Sequence, residues 1–210
     1  MTNPSNIVRL HSRNGGRASI YEANAPYQIF DNGIFKGSGV VPATGLNIAV
    51  GGSASNPDIV IAENPSGYKI ALDIVGTTTL TLTAPVSNSK IVAVVAYTDD
   101  LATISTDTTT TGNPSYNGLI LVDGATGATP EQPDDATIRA AITADGATGS
   151  QAAYSIIALI TVASTTDTIT DTLINNQNAF FIKLVPESEL NNYVGQPLEA
   201  NHFIFGYEES

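Results

Sequence analysis

The residues able to do chemistry are few and scattered. Histidine occurs twice, at His11 and His202, one near each end of the chain and neither in a metal-ligand or triad spacing. Cysteine is absent, which excludes a disulfide framework, a thiolate metal site, an Fe–S cluster and a cysteine nucleophile. Adjacent carboxylates occur at Asp99-Asp100 and Asp134-Asp135. Calcium takes about six to eight oxygen ligands, and Asp99 with Asp100 at a strand end could supply some of them. The D-x-D/N-x-D/N-G spacing of a calcium loop is missing, so the plainer reading is a pair of solvent-exposed turn acids. Asp134-Asp135 follows Pro133 and precedes Ile138, Ala141 and Ile142, which reads as helix capping. Neither pair has the Trp and Tyr clustering of a glycosidase cleft, and the chain has no Trp. The Gly45–Gly52 stretch is not a G-x-G-x-x-G opening a helix, and no G-x-x-x-x-G-K-S/T occurs. No nucleotide site is expected, no catalytic residue, metal ligand or cofactor site is assigned, and the expectation is that the chain is not an enzyme.

The elements that would have to position such groups are short strands. Leu46, Ile48 and Val50 alternate. Asp58–Ala62 is an apolar run stopped by Asn64-Pro65-Ser66-Gly67, where Pro65 presets φ and Gly67 can take positive φ. Tyr68–Val75 alternates, and in Thr77–Thr83 the threonines face water opposite leucines that face a core. Lys90–Thr98 is too continuously apolar for an edge and is expected to be a central strand. Leu119–Val122, Tyr154–Val162, Thr168–Ile174 and Ala179–Leu184 complete the series. One helix is expected near residues 135–144, lying on a sheet edge, capped by Asp134 or Asp135 and closed by Gly146. Short strands at turn-marked spacing predict a mainly β fold: an antiparallel, jelly-roll-like β-sandwich with one short helix and extended N- and C-terminal segments.

The chain has 210 residues, eight of them Lys or Arg and twenty Asp or Glu, for a net charge of −12. So acidic a surface argues against nucleic acid as a ligand. Residues 1–40 carry Arg9, Arg13, Arg17 and Lys36 against Glu22 and Asp31, a net +2 that leaves −14 on the rest. That asymmetry suggests a basic arm able to dock on an acidic neighbour, with Arg9, Arg13 and Arg17 as anchor candidates. The expected division is an arm at 1–40, a sandwich body at 41–185 and an extended tail at 186–210. In the tail Phe203, Phe205 and Tyr207 alternate and are candidates for packing onto a neighbouring copy. Residues 1–17 lack the apolar core of a secretory signal. The longest apolar runs, Ile91–Tyr97 and Tyr154–Ala163, fall short of the about 20 residues that span a bilayer, so no membrane insertion is expected.

Several segments carry a resemblance: Tyr21-Glu22-Ala23, Gly37–Leu46 (GSGVVPATGL), Val50-Gly51-Gly52, Asn64–Lys69 (NPSGYK), Lys90–Tyr97 (KIVAVVAY) and Pro133–Ile142 (PDDATIRAAI). Together they resemble small structural proteins of tailed bacteriophages infecting Gram-positive bacteria, those labelled minor structural, tail, baseplate or fibre-associated. The resemblance spans roughly residues 22–162 and rests on core and turn residues. It implies a non-enzymatic virion component, made in the host cytoplasm, that forms homo-oligomers (often trimers) and contacts other virion structural proteins. A place on the tail or baseplate is the first expectation; a capsid decoration or head-fibre role is the alternative. A carbohydrate-binding module for a host-surface glycan is a further reading, using the loops at Gly51–Pro57 and Thr106–Asn117.

Overall fold

The computed structural model describes residues 7–9, 30–53, 55–99, 117–179, 181–186 and 202–207. In chain order the strands are β1 (Ile7–Arg9), β2 (Gly33–Lys36), β3 (Val40–Pro42), β4 (Asn47–Val50), β5 (Asp58–Glu63), β6 (Lys69–Ile74), β7 (Thr78–Thr81), β8 (Ser89–Thr98) and β9 (Asn117–Asp123). Helix α1 (Asp135–Ala144) follows, then β10 (Ala153–Ala163), β11 (Ile174–Asn176), β12 (Phe181–Pro186) and β13 (His202–Tyr207). The fold is mainly β with antiparallel sheets, as the strand pattern predicts.

The large sheet runs β1-β6-β5-β10-β8-β9, with β2 on β5 and β11 on β10. A three-stranded sheet, β3-β4-β7, forms the second layer. Between them Val60, Leu72, Val94 and Ile160 of the large sheet meet Val40, Ile48, Val50 and Leu82 in one core. β8 has the covering on both faces that its sequence demands. Val92, Val94 and Ala96 point into that core, while Ala93, Val95 and Tyr97 point to a second one roofed by α1. A strand covered on both sides cannot alternate, which is why it reads as a continuous apolar run.

The turns follow from side chains that replace backbone partners. Between β5 and β6 the Asn64 Oδ1 accepts from the Ser66 and Tyr68 amides at 3.0 and 2.9 Å, and Gly67 takes φ +78°. Helix α1 begins where Asp134 accepts from the Thr137 amide at 2.8 Å, and Gly146 beyond its end takes φ +108°. The buried side chains Ile138 and Ile142 hold α1 over β8 and β9, each contributing roughly 1.5–3 kcal/mol.

Three features depart from the pattern read in the sequence. Thr168–Ile174 is not a strand: Asp171–Leu173 form a 3-10 turn and only Ile174–Asn176 pair, with β10. The segment expected as an arm contains β2, paired with β5, and Ile34 is buried in the core. The C-terminal strands β12 and β13 pair in parallel as a sheet of their own, not antiparallel.

Candidate functional site

Three carboxylate-centred junctions hold much of the body's polar bonding. The first is Asp58, 3% exposed at the start of β5. Its Oδ2 accepts from the Gly39 amide at 2.9 Å, and the Ser38 backbone N–H supports the same group. A Cβ at Gly37 would overlap the carboxylate, and Gly37 also takes φ +123°. A Cβ at Gly52 would stand 2.8 Å from its Oδ1. Glycine at both positions therefore lets two loops close on one acid. Burial pushes the Asp58 carboxyl above its usual range, opposed by the Gly39 and Ser38 amides and by Lys36.

The second junction joins the end of β8 to the end of α1. The Tyr97 hydroxyl donates to Asp145 Oδ2 at 2.7 Å, and Asp99, fully buried, accepts from the Thr148 amide at 2.8 Å. Thr98 Oγ1 donates to Asn117 Oδ1 at 2.6 Å, tying β8 to β9. A side chain at Gly118 would collide with the Tyr97 ring, which occupies the space beside the β9 backbone that glycine leaves free. Burial first, and then the Asp145 carboxylate, push the Tyr97 phenol upward.

The third junction fixes the start of α1 to β10. Arg139 Nε reaches both Asp135 oxygens, at 2.9 and 3.0 Å. Its Nη1 donates to the Gly149 and Ala152 carbonyls at 2.9 and 3.2 Å. The Tyr154 hydroxyl donates to Asp135 Oδ1 at 2.8 Å, and the Arg139 guanidinium sits 5.1 Å from the Tyr154 ring centroid, within cation–π range. The Tyr154 hydrogen bond, then Arg139, hold the Asp135 carboxyl below its usual value. Burial and then Asp135 push the Tyr154 phenol up to about 12.

A fourth contact does the same work with an uncharged group. Asn176 of β11 accepts from the Val40 amide at 2.9 Å and donates to the Val40 carbonyl at 3.0 Å. Its amide thus imitates a neighbouring strand and links β3 of the small sheet to the large sheet. Lys90 and Asp123 pair at 2.6 Å across β8 and β9, with Lys90 buried.

Chemically, these groups fasten elements together. Each carboxylate faces donors from its own chain, and among the described residues no three His, Asp or Glu side chains gather as a metal site. Among the described residues, too, no helix is long and apolar enough to cross a membrane.

The residues singled out by sequence fall on separate elements or outside the described residues. Arg9 lies on β1 with its Cα opposite Leu72 of β6; Arg13 and Arg17 lie outside the described residues. Phe203, Phe205 and Tyr207 lie on β13, in register with Ile182, Leu184 and Pro186 of β12. Asp99 is a buried acceptor and not an exposed turn acid, while Asp100 falls outside the described residues, as does nearly all of the Thr106–Asn117 loop. Of the Gly51–Pro57 loop, Gly52 bridges to Val75 and Ser53 to Asn56. His11 is outside the described residues, and His202 is opposite Phe181. Asp134 caps α1 as expected, whereas Asp135 serves the Arg139–Tyr154 junction. Sequence reasoning missed Asp58, Tyr97, Asp145, Arg139, Tyr154 and Asn176. Two signals were present: an acid opening an apolar run, and Asp135-to-Arg139 at helical i, i+4 spacing. No known protein family, curated protein or solved structure matches the chain.

Proposed function

We propose that the chain is a non-enzymatic structural component of a tailed-phage virion, an oligomeric adaptor or fibre-base protein of the tail or baseplate. The observation that carries this reading is the use of its polar groups. Asp58, Asp99, Asp135, Asp145, Arg139 and Asn176 all bind other elements of the body. Such a body is stiffened without disulfides, which suits a part that transmits load or holds position. The phage resemblance of residues 22–162 supplies the particle, and the basic 1–40 segment supplies a surface for an acidic neighbour. Homotrimers are the expected assembly, with other virion proteins as partners.

Immunogold labelling of purified particles, followed by cryo-EM localisation, tests the proposal. Density at the tail tip or baseplate supports it. Density on the capsid replaces it with a decoration or head-fibre role, and particles lacking the chain overturn both. The anchoring role of the basic segment is best tested by charge reversal at Arg13 and Arg17, since truncation would also remove β1 from the sheet. The reversed variant should fold and fail to incorporate into particles.

A further inference from the structure

The two edges of the three-stranded sheet are treated oppositely. Hydrogen-bond phase decides which backbone groups face outward. The Ala43 amide bonds the Asn47 carbonyl and the Leu82 amide bonds the Leu46 carbonyl. With the registers Val41↔Ala49 and Leu80↔Ile48, antiparallel alternation turns Val40 and Pro42 away from β4 on one side. On the other side it turns Thr79 and Thr81 away. The β3 edge is closed: Asn176 occupies both backbone groups of Val40, and Pro42 has no amide to offer. The β7 edge has neither device. Thr79 and Thr81 are exposed, and among the described residues nothing pairs with their backbone groups.

We propose that β7 is an assembly edge that pairs antiparallel with β7 of a second copy across a two-fold axis. The occupant follows from charge and register. Residues 77–83 (TTTLTLT) contain no charge and no proline, whereas the body around them is strongly acidic and the chain carries −12 overall. An uncharged strand is where two such bodies can approach without opposing carboxylates. Edges are ordinarily protected by Lys, Pro, bulges, shortness or a covering segment; β7 is short, at four residues, but carries no Lys, Pro or bulge. With Leu80 on the axis, Thr79 of one copy faces Thr81 of the other, and the outward groups of both strands coincide. The contact is therefore isologous. It yields a continuous six-stranded sheet, β3-β4-β7 followed by the same strands of the partner in reverse. The contact does not depend on the virion reading. Were the subunits also trimeric, it would join trimers in pairs, so the stoichiometry is even in either case.

Sedimentation equilibrium of the full chain tests this, alongside Thr79→Pro and Thr79→Lys variants. The outward Thr79 amide makes no bond within its own sheet, so both variants should keep the parent's circular dichroism and melting. The parent should form dimers or hexamers, and each variant should weaken that association at least tenfold. Amide exchange supplies a site-specific readout that holds even if a variant misfolds. In the parent, Thr79 and Thr81 should become protected as concentration rises, whereas Thr78 and Leu80 should be protected at every concentration. A monomer or trimer at all concentrations, an even assembly untouched by both folded variants, or concentration-independent exchange at Thr79 and Thr81 would overturn the proposal.

Discussion

Asp58 and Asp135 are carboxylates that each tie distant segments together, and their environments drive them in opposite directions. Asp58 is sealed in the body, held by backbone amides of the Gly37–Gly39 loop. Its dominant influence is lost hydration, which raises its pKa. Asp135 sits on the exposed start of α1 and takes a tyrosine hydroxyl and an arginine, which lower its pKa. The lesson concerns shape against charge. A buried acid is retained by the geometry of what closes over it, and a surface acid by the groups that favour its ionised form.

The largest break in that comparison should come from Gly37→Ala. The substitution forces a side chain onto Asp58 at a positive φ, and a loss of about 3 kcal/mol is expected from strain and overpacking combined. Urea denaturation with an unchanged slope would measure it. Next, Asp58→Ala removes the acceptor from the Gly39 amide, which is expected to cost about 2 kcal/mol. Asp58→Asn, which can still accept, should cost much less; equal losses for Ala and Asn would show that the caged oxygen is unimportant. Arg139→Ala frees the Gly149 and Ala152 carbonyls at a half-buried site and should cost about 1 kcal/mol.

The smallest effects sharpen the contrast through pH. The folded-state pKa of Asp58 lies above its unfolded value, so the ionised form is a burden above that raised value and the burden lifts as pH falls through it. Asp58→Asn should therefore compare better with the parent at pH 7 than at pH 4. Asp135 has the reverse sign. Its depressed pKa contributes stability present above the ordinary carboxylate range and lost as pH falls through the depressed value. Tyr154→Phe removes the main cause of that depression. At this exposed site the difference should be only a few tenths of a kcal/mol, seen as a shallower acid-side loss. Stability differences from the parent across pH 2.5 to 7, a range set around the usual carboxylate value of about 3.9, would show slopes of opposite sign for the two variants. Matching slopes would remove the distinction.

Much of the scaffold was legible in local pattern. The 90–98 run announced a strand with two covered faces, and both cores do lie against β8. The Thr/Leu alternation of 77–83 gave the exposed and inward faces of β7. Asp134, the Ile138–Ile142 stripe and Gly146 gave α1 nearly to the residue. The junctions were far less legible because their partners are remote. Asp58 meets Gly39 across 19 residues, Tyr97 meets Asp145 across 48, and Asn176 meets Val40 across 136. No period or spacing in the chain encodes such a meeting. Asp99 illustrates the cost: in sequence it is the first of two polar residues after an apolar strand, and only the fold buries it against Thr148.

The sequence by itself determined the mainly β class, a non-edge strand at β8 (paired on both sides, though next to the edge strand β9), the capped helix, the turn at Asn64–Gly67 and the uneven charge. These depend on side-chain periodicity and backbone preferences acting over a few residues. Only the tertiary structure decided that β1 and β2 belong to the large sheet, that β12 and β13 run parallel, and that one edge of the small sheet is sealed while the other has no partner strand among the described residues. Strand partnership is chosen by long-range hydrogen bonding and core closure. A strand's own residues say which face is apolar, but not which neighbour will satisfy its edge.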